Sequence, residues 1–302
     1  MKKYHQSVLL EETIGLLNVK KQALYIDATA GGGGHTLEIL KRGGKVLAID
    51  RDPEAIKHIK KQSQKFQIGR DLFLANENFN KISSIAKENS FENVSGIIFD
   101  LGVSSHQLES AQRGFSFSKL GPLDMRMDPD ISVAASDIIN NFDKRRLNEI
   151  FKKFSQEKLS WPIADAIFRA RQIKPIETTT ELARIVKEVY QKHENRYRGS
   201  RAKRGVRNIN PATKVFQSLR IVVNSELLNL EESLPQTVNL LNKSGRLVVI
   251  SFHSLEDAIV KRFFKASQDL KVLTKSPIGP GTWELLTNPK SRSAKLRAAE
   301  KI

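Results

Sequence analysis

The chain has 302 residues, of which 27% are charged and 39% are hydrophobic, a composition typical of a globular protein that can bury a sizeable core. Its net charge of +17 favours a polyanionic partner such as nucleic acid, because neutralising phosphates releases condensed counterions. An anionic membrane surface is the alternative, but no long basic amphipathic helix accompanies this charge. The sequence contains no cysteine, which excludes disulfides, thiolate metal sites and cysteine nucleophiles.

Location and metal content are predicted from the same features. No apolar run approaches the ~20 residues of a membrane span, and the first residues lack the apolar core of a signal peptide. We therefore expect a cytoplasmic protein that does not bind a membrane. The six histidines show no metal-ligand spacing, so no metal is expected.

Short apolar runs alternate with helical patterns over the first hundred residues. This alternation predicts a parallel α/β sheet, whose ligands bind at the carboxyl ends of the strands. The four predicted strands cover residues 23–27, 45–50, 71–75 and 94–100.

The alternation stops after His106. Between 107 and 209 the patterns are helical, most clearly over residues 144–154, 157–171 and 178–193. A long helix is predicted from Asn210, followed by a fifth strand over 246–252 and a helix capped by Ser254 and Asp257.

These boundaries predict that a helical domain is inserted into a single α/β domain of the nucleotide-binding type. Residues 1–106 and 210–302 would form the α/β domain, and residues 107–209 the inserted helical domain.

A basic stretch lies near the end of the predicted insertion. Residues 192–207 contain seven lysines and arginines and a single acid. The stretch is either a solvated loop or an arm that grips RNA and becomes ordered on contact.

A glycine-rich loop is the most informative motif of the chain. Gly31 to Gly34 follow the first strand, which ends at Asp27, and a helix begins directly after them. Glycines let the backbone approach a ligand closely, and the start of the helix adds free N–H groups. A dinucleotide site would have a third glycine where Thr36 stands. An acid at Asp27 fits a ligand with a cationic head, such as S-adenosylmethionine, better than it fits a pyrophosphate.

Further candidates end the other strands at the same edge. Asp50 ends strand two and is suited to accept hydrogen bonds from ribose hydroxyls. Phe79 follows strand three and either covers an adenine or packs in the core. Asp100 begins the segment Asp-Leu-Gly-Val-Ser-Ser after strand four, which fits a site where an amine is oriented and then loses a proton. His253 lies at the end of strand five, where a histidine is either functional or structural.

Two aromatic and arginine-containing motifs fall in the predicted insertion. Residues 113–117 read Arg-Gly-Phe-Ser-Phe, and residues 121–127 read Gly-Pro-Leu-Asp-Met-Arg-Met. Phe115 and Phe117 either stack an unpaired base or pack inside the protein.

Together these segments resemble one family, the bacterial 16S ribosomal RNA cytosine-N4 methyltransferases of the RsmH type, formerly called MraW. The similarity covers essentially the whole chain. The matching motifs are His5 to Glu12, the glycine loop, Ile49 to Pro53, Asn78-Phe79, Asp100 to Ser105, Arg113 to Phe117, Gly121 to Met127, Pro211 to Gln217, Asn224 to Leu227, Ser251 to Asp257 and Asn288 to Ser293.

The resemblance implies a Rossmann-like S-adenosylmethionine-dependent methyltransferase domain with a helical insertion. It also implies S-adenosyl-L-methionine as cofactor and 16S ribosomal RNA, or the small ribosomal subunit, as partner. The methylated atom would be N4 of the decoding-centre cytosine in the P site.

Roles for individual residues follow from the resemblance. Gly33, Gly34 and His35 would cradle the methionine end of the cofactor. Asp50 would hold the ribose, and Phe79 would lie by the adenine.

Asp100 and Gln107 would complete the cofactor pocket by the same resemblance. Ser104 and His253 are the candidates for the catalytic role at the cytosine amine.

Three other functions remain open at this point. One is an amino methyltransferase that acts on another nucleic acid, although Asp100-Leu101-Gly102-Val103 is not the usual Asp/Asn-Pro-Pro-aromatic motif of such enzymes. Another is a ribosome-assembly factor that binds RNA and cofactor without turnover. The third is an NAD-dependent dehydrogenase, which Thr36 disfavours.

Overall fold

The computed structural model describes residues 7–197 and 210–302, without the side chains of residues 194–197. Most of the basic stretch 192–207 and His5 therefore lie outside the described residues. The chain forms two compact units, one made of residues 1–106 and 227–302 and the other of residues 107–226. No helix in the described ranges is long and apolar enough to cross a membrane.

The first unit is built on a seven-stranded sheet in the order β3-β2-β1-β4-β5-β7-β6. Strands β1 to β5 are parallel, and β7 runs antiparallel to both β5 and β6. The strands are β1 (Leu24–Asp27), β2 (Lys45–Ile49), β3 (Leu72–Ala75), β4 (Val94–Asp100), β5 (Leu241–Ser251), β6 (Leu270–Val272) and β7 (Lys295–Lys301). The predicted Rossmann-like sheet is confirmed. Strands β6 and β7 were not predicted, because neither has a long apolar run.

Helices cover both faces of this sheet. They are α1 (Leu10–Leu17), α2 (Gly34–Lys41), α3 (Pro53–Gln62), α4 (Ile82–Glu88), α11 (Glu226–Leu240) and α12 (Ser254–Ala266). The short helix α13 (Thr282–Thr287) lies between β6 and β7 and has no buried residue. Side chains alternate along each strand, so Ile26 and Ile97 pack in one core cluster and Tyr25 and Ile98 in the other. This two-sided burial explains why the predicted strands are nearly continuous apolar runs.

The second unit is helical, as predicted. Its helices are α5 (Ser105–Glu109, which starts at the end of the first unit), α6 (Ala135–Asn141), α7 (Lys144–Ser155), α8 (Ser160–Arg171), α9 (Thr179–Tyr197) and α10 (Ala212–Val223). On α7, for example, the buried side chains Leu147, Ile150 and Phe151 recur at helical spacing.

The predicted long helix from Asn210 is in fact two helices. The chain breaks between α10 and α11 at Ser225, whose φ of 49° is incompatible with a continuing helix. Asn224 stabilises this break because its Oδ1 accepts from Met127 N at 2.8 Å and its Nδ2 donates to Met125 O at 2.7 Å. Since α10 packs chiefly on α7, the second unit ends at Glu226, whereas the sequence placed the return to the α/β domain at residue 210.

Candidate active site

The glycine loop connects the end of β1 to the start of α2 and is fixed to β2. Gly31 N donates to Asp50 Oδ2 at 2.7 Å, and Ala30 N donates to Ile49 O at 2.9 Å. Gly33 has a φ of +80°, and a Cβ there would lie 3.0 Å from Cγ1 of Ile59. The loop is therefore a tight turn with its backbone exposed to the carboxyl edge of the sheet, as a ligand cradle requires.

Gly34, the first residue of α2, is required for a different reason. A Cβ at this position would lie 1.8 Å from Oγ and 3.0 Å from Cβ of Ser7, so a side chain here would require the Ser7 side chain to move. The glycine thus allows residues 7–9 to pack directly on the start of α2.

Asp27 acts inside the protein rather than at the surface of the pocket. Its side chain is buried and accepts hydrogen bonds from Thr36 Oγ1 at 2.7 Å and from Thr29 N at 3.3 Å. Burial raises its pKa to about 6. The threonine that replaces the third glycine of a dinucleotide motif therefore binds this acid and ties α2 to β1, so Asp27 influences a ligand mainly through its charge.

Asp50 directly follows β2 and stands where a ribose acceptor was predicted. Its Oδ2 accepts from Gly31 N, and its Oδ1 accepts from Asp52 N at 2.8 Å. Burial raises the pKa of this carboxyl to about 6. Each carboxylate oxygen retains acceptor capacity for a further donor, so the geometry is compatible with two hydroxyl groups of a ribose.

Phe79 lies after β3 at the same edge of the sheet. Asn78 caps its 3-10 turn through Oδ1, which accepts from Asn80 N at 3.2 Å. The Phe79 ring is 8% exposed and meets Phe99 edge to face, with centroids 5.4 Å apart. Most of the ring therefore belongs to the core, and its predicted contact with an adenine stays a prediction.

Asp100, at the end of β4, carries a carboxylate oxygen that the described residues leave unbonded. Its backbone N donates to Thr29 Oγ1 at 2.5 Å, which fixes the residue beside the glycine loop. Its Oδ2 lies 3.7 Å from Nδ1 of the buried His35, whereas Oδ1 is buried and has no hydrogen-bond partner in the described part of the chain. Burying such an acceptor is unfavourable unless a ligand supplies a donor.

The electrostatic field around Asp100 is strongly negative. Burial is the main reason that its pKa lies well above the ordinary value, and the charges of Asp27, Glu256 and Glu284 raise it further. A cationic ligand would relieve this repulsion and hold the carboxylate in its charged form. The arrangement thus suits a group that carries positive charge.

Two acids of this cluster were not identified from the sequence as site residues. Glu284 lies on α13, where its Oε1 accepts from Leu9 N at 2.9 Å. No pattern in the sequence connects position 284 with either Leu9 or Asp100. Glu256 lies within the motif that contains His253, three residues after it, which is the spacing of a capping box.

The cap of α12 differs from the prediction. His253, not Ser254, is the N-cap residue, and Glu256 completes the capping box by accepting from His253 N at 3.2 Å. Asp257, predicted to be part of the cap, instead accepts from Arg297 Nε at 2.6 Å. The buried arginine on β7 supplies a stronger partner for this acid than a helix terminus does.

Both ring nitrogens of His253 lie close to Glu256, and Nδ1 makes a hydrogen bond to its backbone. Its Nδ1 accepts from Glu256 N at 3.3 Å, and its Nε2 lies 3.2 Å from Glu256 Oε1. Because Nδ1 is an acceptor, a neutral His253 carries its proton on Nε2. The ring is therefore oriented at the end of β5, but it also has a structural role as a helix cap.

The remaining predicted residues lie close together in sequence but in different units. Ser104 is partly exposed in the segment between β4 and α5, in the first unit. Gln107 is buried on α5 and belongs to the second unit, so its predicted place in the pocket stays a prediction.

The two arginine-containing motifs, residues 113–117 and 121–127, are joined by hydrogen bonds within the second unit. Arg113 donates to Met127 O at 2.8 Å, and Arg126 donates to Asp124 Oδ2 at 2.7 Å. Phe115 is buried, and Phe117 packs edge to face on Phe216, with centroids 5.4 Å apart. Of the two interpretations open from the sequence, the structure shows packing.

Comparison with known proteins gives a whole-chain match. The model of the MraW methylase family matches residues 2–302. A ribosomal RNA small subunit methyltransferase H of Halothermothrix orenii is 40% identical, over 99% of this chain and 98% of its own. The protein of the same name from Thermomicrobium roseum is 43% identical, over 99% of this chain and 94% of its own. A solved rRNA methylase from Streptococcus thermophilus has 12% identity and a TM-score of 0.45, with 98% of each chain covered.

The family match agrees with what the residues themselves indicate. The predicted resemblance, the methyltransferase fold class and the cofactor, S-adenosyl-L-methionine, are confirmed. The buried Asp100 oxygen in its acidic field fits a ligand whose sulfonium and ammonium groups are both positive. This chain belongs to the MraW methylase family.

Proposed function

We propose that this protein transfers a methyl group from S-adenosylmethionine to the exocyclic N4 of a cytosine in small-subunit ribosomal RNA. The observation that carries the methyl-donor part is the buried oxygen of Asp100 to which no described residue donates a hydrogen bond, beside the glycine loop at the carboxyl edge of the sheet. The RNA part is supported by the names of the relatives and by the net charge of +17. The resemblance to the RsmH type supports N4 of the P-site decoding-centre cytosine as the acceptor.

The cofactor pocket is proposed to lie along the ends of β1, β2 and β4. Gly33, Gly34 and His35 would hold the methionine end, where the start of α2 supplies N–H groups to its carboxylate. Asp50 would accept hydrogen bonds from the ribose, and Asp100 would accept from a positively charged donor. Bound there, S-adenosylmethionine supplies a methyl group that its sulfonium charge has already activated.

The chemical difficulty lies with the acceptor. The N4 lone pair of cytosine is delocalised into the ring, so the amine is a weak nucleophile. The protein must therefore orient the amine towards the methyl group and turn the lone pair out of conjugation. Acceptors placed on the N4 protons would do both, and one of them must finally receive a proton.

Ser104 and His253 are the proposed groups at the amine. Ser104 follows β4 closely and offers a hydroxyl that can accept from N4. His253 could take the released proton only on a nitrogen freed from Glu256, because Nδ1 accepts a backbone hydrogen bond and Nε2 faces the carboxylate. The proposal therefore requires this cap to rearrange when substrate binds.

The acceptor base must leave its stack to reach such a site. We therefore propose that the target cytosine is unpaired or extruded when it is methylated, which favours loop or single-stranded RNA.

The test is transfer of a labelled methyl group to small ribosomal subunits that lack this modification, followed by nucleoside analysis. N4-methylcytidine at one site is the expected product. A different methylated nucleoside would refute the acceptor assignment. Cofactor binding without transfer to subunits or to free RNA would refute enzyme activity and leave an assembly factor.

A further inference from the structure

An exposed tryptophan stands on the segment between β6 and β7. The short helix α13 presents Trp283 and Leu286, which are 78% and 73% exposed. The two residues are three positions apart and so lie on one face of the helix. Large exposed apolar side chains grouped in this way mark surfaces that contact a partner.

The segment that carries Trp283 is well fixed to the first unit. Ile278 pairs with Leu296 of β7 through hydrogen bonds in both directions, at 3.0 and 2.8 Å. After α13, Asn288 N donates to Glu284 O at 2.7 Å, and Ser291 Oγ donates to Asn288 O at 2.8 Å. A fixed backbone lets an aromatic side chain bind a partner with little loss of conformational freedom.

Trp283 is also connected to the cofactor pocket. Its neighbour Glu284 accepts from Leu9 N at 2.9 Å and is one of the acids whose charge acts on Asp100. A ligand on the Trp283 face would therefore lie next to the pocket of the same unit.

The segment that carries Trp283 has more basic than acidic residues. Residues 275–293 contain three lysines and arginines and one acid, Glu284. Lys275, Lys290 and Arg292 are exposed, and the 3-10 turn Pro289–Ser293 that carries two of them packs against α13. An exposed aromatic ring beside exposed cations is the combination that binds single-stranded nucleic acid.

We propose that Trp283 stacks on an unpaired base of the substrate RNA while Lys290 and Arg292 contact the neighbouring phosphates. This inference rests on the proposed function and extends it by assigning a substrate-binding surface outside the cofactor pocket. Single-stranded RNA is the favoured occupant because the exposed apolar part is small, limited to Trp283, Leu285 and Leu286, and exposed lysine and arginine side chains lie in the same segment.

The two tryptophans of the chain allow a direct test, since Trp161 lies in the other unit. Trp161 is 49% exposed on α8, with Lys144 Nζ 5.2 Å from its ring centroid, and is the matched control. The variant Trp161→Phe leaves Trp283 as the one tryptophan fluorophore, and Trp283→Phe leaves Trp161. Each variant is titrated with an unmodified transcript of small-subunit ribosomal RNA and with a fully paired RNA duplex.

We expect the transcript to quench Trp283 strongly and the duplex to quench it weakly. Trp283→Ala should weaken transcript binding about tenfold, within the range of one lost base stack, and Trp283→Phe should keep most of the affinity. Affinity for S-adenosylhomocysteine, used as the cofactor probe, should be unchanged in both variants, which shows that they are folded.

Unchanged Trp283 emission at saturating transcript, or wild-type transcript affinity in Trp283→Ala, would overturn the inference. A change in Trp283 emission that depends on protein concentration alone, or on anionic vesicles but not on RNA, would overturn it as well, in favour of self-association or a membrane. The proposed function is tested by a different result: it is refuted if the wild-type protein produces no N4-methylcytidine in the nucleoside analysis.

Discussion

Oδ2 of Asp100 lies 3.7 Å from Nδ1 of His35. The end of β4, which carries Asp100, is therefore next to the first turn of α2, which carries His35. The other carboxylate oxygen of Asp100 is buried without a hydrogen bond from the described residues. A side chain in this state destabilises the free protein and is available for a ligand. This conflict between stability and binding is typical of functional sites.

Replacing Asp100 by Asn should separate these two effects. The variant removes a carboxyl whose pKa is raised on folding, and such a group costs stability at neutral pH whether it stays charged or takes up a proton. The free protein should therefore melt about 2–4 °C higher at neutral pH. Affinity for S-adenosylmethionine should fall about tenfold or more, because a charge-assisted hydrogen bond is lost. Thermal melts and calorimetric titration measure both changes.

Asp71→Asn is the matched control for this experiment. Arg70 holds the pKa of Asp71 below its usual value, so this acid stabilises the protein in its charged form. Its replacement should leave cofactor affinity unchanged and should not raise the melting temperature. Wild-type cofactor affinity in Asp100→Asn would contradict the assigned role of Asp100.

Cofactor affinity should depend on pH near 6. The pKa values of Asp27 and Asp50 are both raised to about 6 by burial. Below this pH the carboxyls are protonated in the free protein, so affinity for the cationic cofactor should decrease as the pH falls from 7 to 5. Binding titrations across this range test the expectation, and a flat profile would contradict it.

The stability of the free protein should change in the opposite direction. A carboxyl whose pKa is higher in the folded state than its unfolded value binds protons more tightly when folded. These two groups therefore stabilise the free protein progressively as the pH falls from about 6 towards the unfolded value of 3.8. Denaturant unfolding of wild type and of Asp50→Asn at pH 7 and pH 5 measures this effect, because the variant lacks one of the two carboxyls and should gain less stability between these pH values.

Gly33→Ala should impair the cofactor site specifically. The substitution places a side chain at a φ of +80° and 3.0 Å from Ile59, so both the turn and its backbone N–H groups should shift. We expect at least a tenfold loss of cofactor affinity and a stability loss of about 1–2 kcal/mol.

Gly69→Ala provides the control for backbone strain alone. Gly69 has a φ of +84°, and a Cβ there would meet nothing within 4 Å. It should show a similar stability loss with normal cofactor binding. Equal cofactor affinities for the two variants would rule out the glycine loop as the cradle.

The proposed catalytic role of His253 can be separated from its structural role as the N-cap of α12. His253→Ala should lower turnover and also destabilise α12 by about 1 kcal/mol, because the N-cap acceptor is lost. His253→Asn keeps a good capping side chain, so its stability should recover while turnover stays low if the imidazole accepts the proton. Ser104→Ala should lower turnover by about 10-fold or more if its hydroxyl orients the amine.

Two results would contradict this assignment. Full turnover in His253→Asn would show that His253 serves as a cap alone. Near-normal turnover in both Ser104→Ala and His253→Ala at saturating RNA would place the catalytic groups elsewhere.

RNA binding should weaken steeply with salt. The excess of positive charge predicts several phosphate contacts, and each contact to single-stranded RNA contributes about −0.7 to the slope of log affinity against log salt. Lys290→Ala should reduce the slope by about one such contact, whereas Trp283→Ala should lower affinity without changing the slope. A salt-independent affinity would contradict the basic-surface argument.

Local patterns in the sequence predicted the sheet edge and the residues that stand at its strand ends. Three apolar runs, which end in Asp27, Asp50 and Asp100, located the ends of three strands. Because these strands are parallel, their carboxyl ends lie at the same edge of the sheet. The helical content of the second unit followed from its 3.6-residue periodicity. Strands β6 and β7 were missed because an antiparallel strand such as Lys295–Lys301 has few large apolar residues.

Contacts between distant residues could not be predicted from these patterns. The sequence by itself determined the fold class, the glycine loop and the acids at the strand ends, because each depends on neighbouring residues. Only the tertiary structure decided that Thr36 binds Asp27, that Glu284 reaches Leu9, that His253 caps α12 and that Phe115 is buried. Hydrogen bonding and burial of these groups depend on which segments pack together, and that is a property of the whole folded unit.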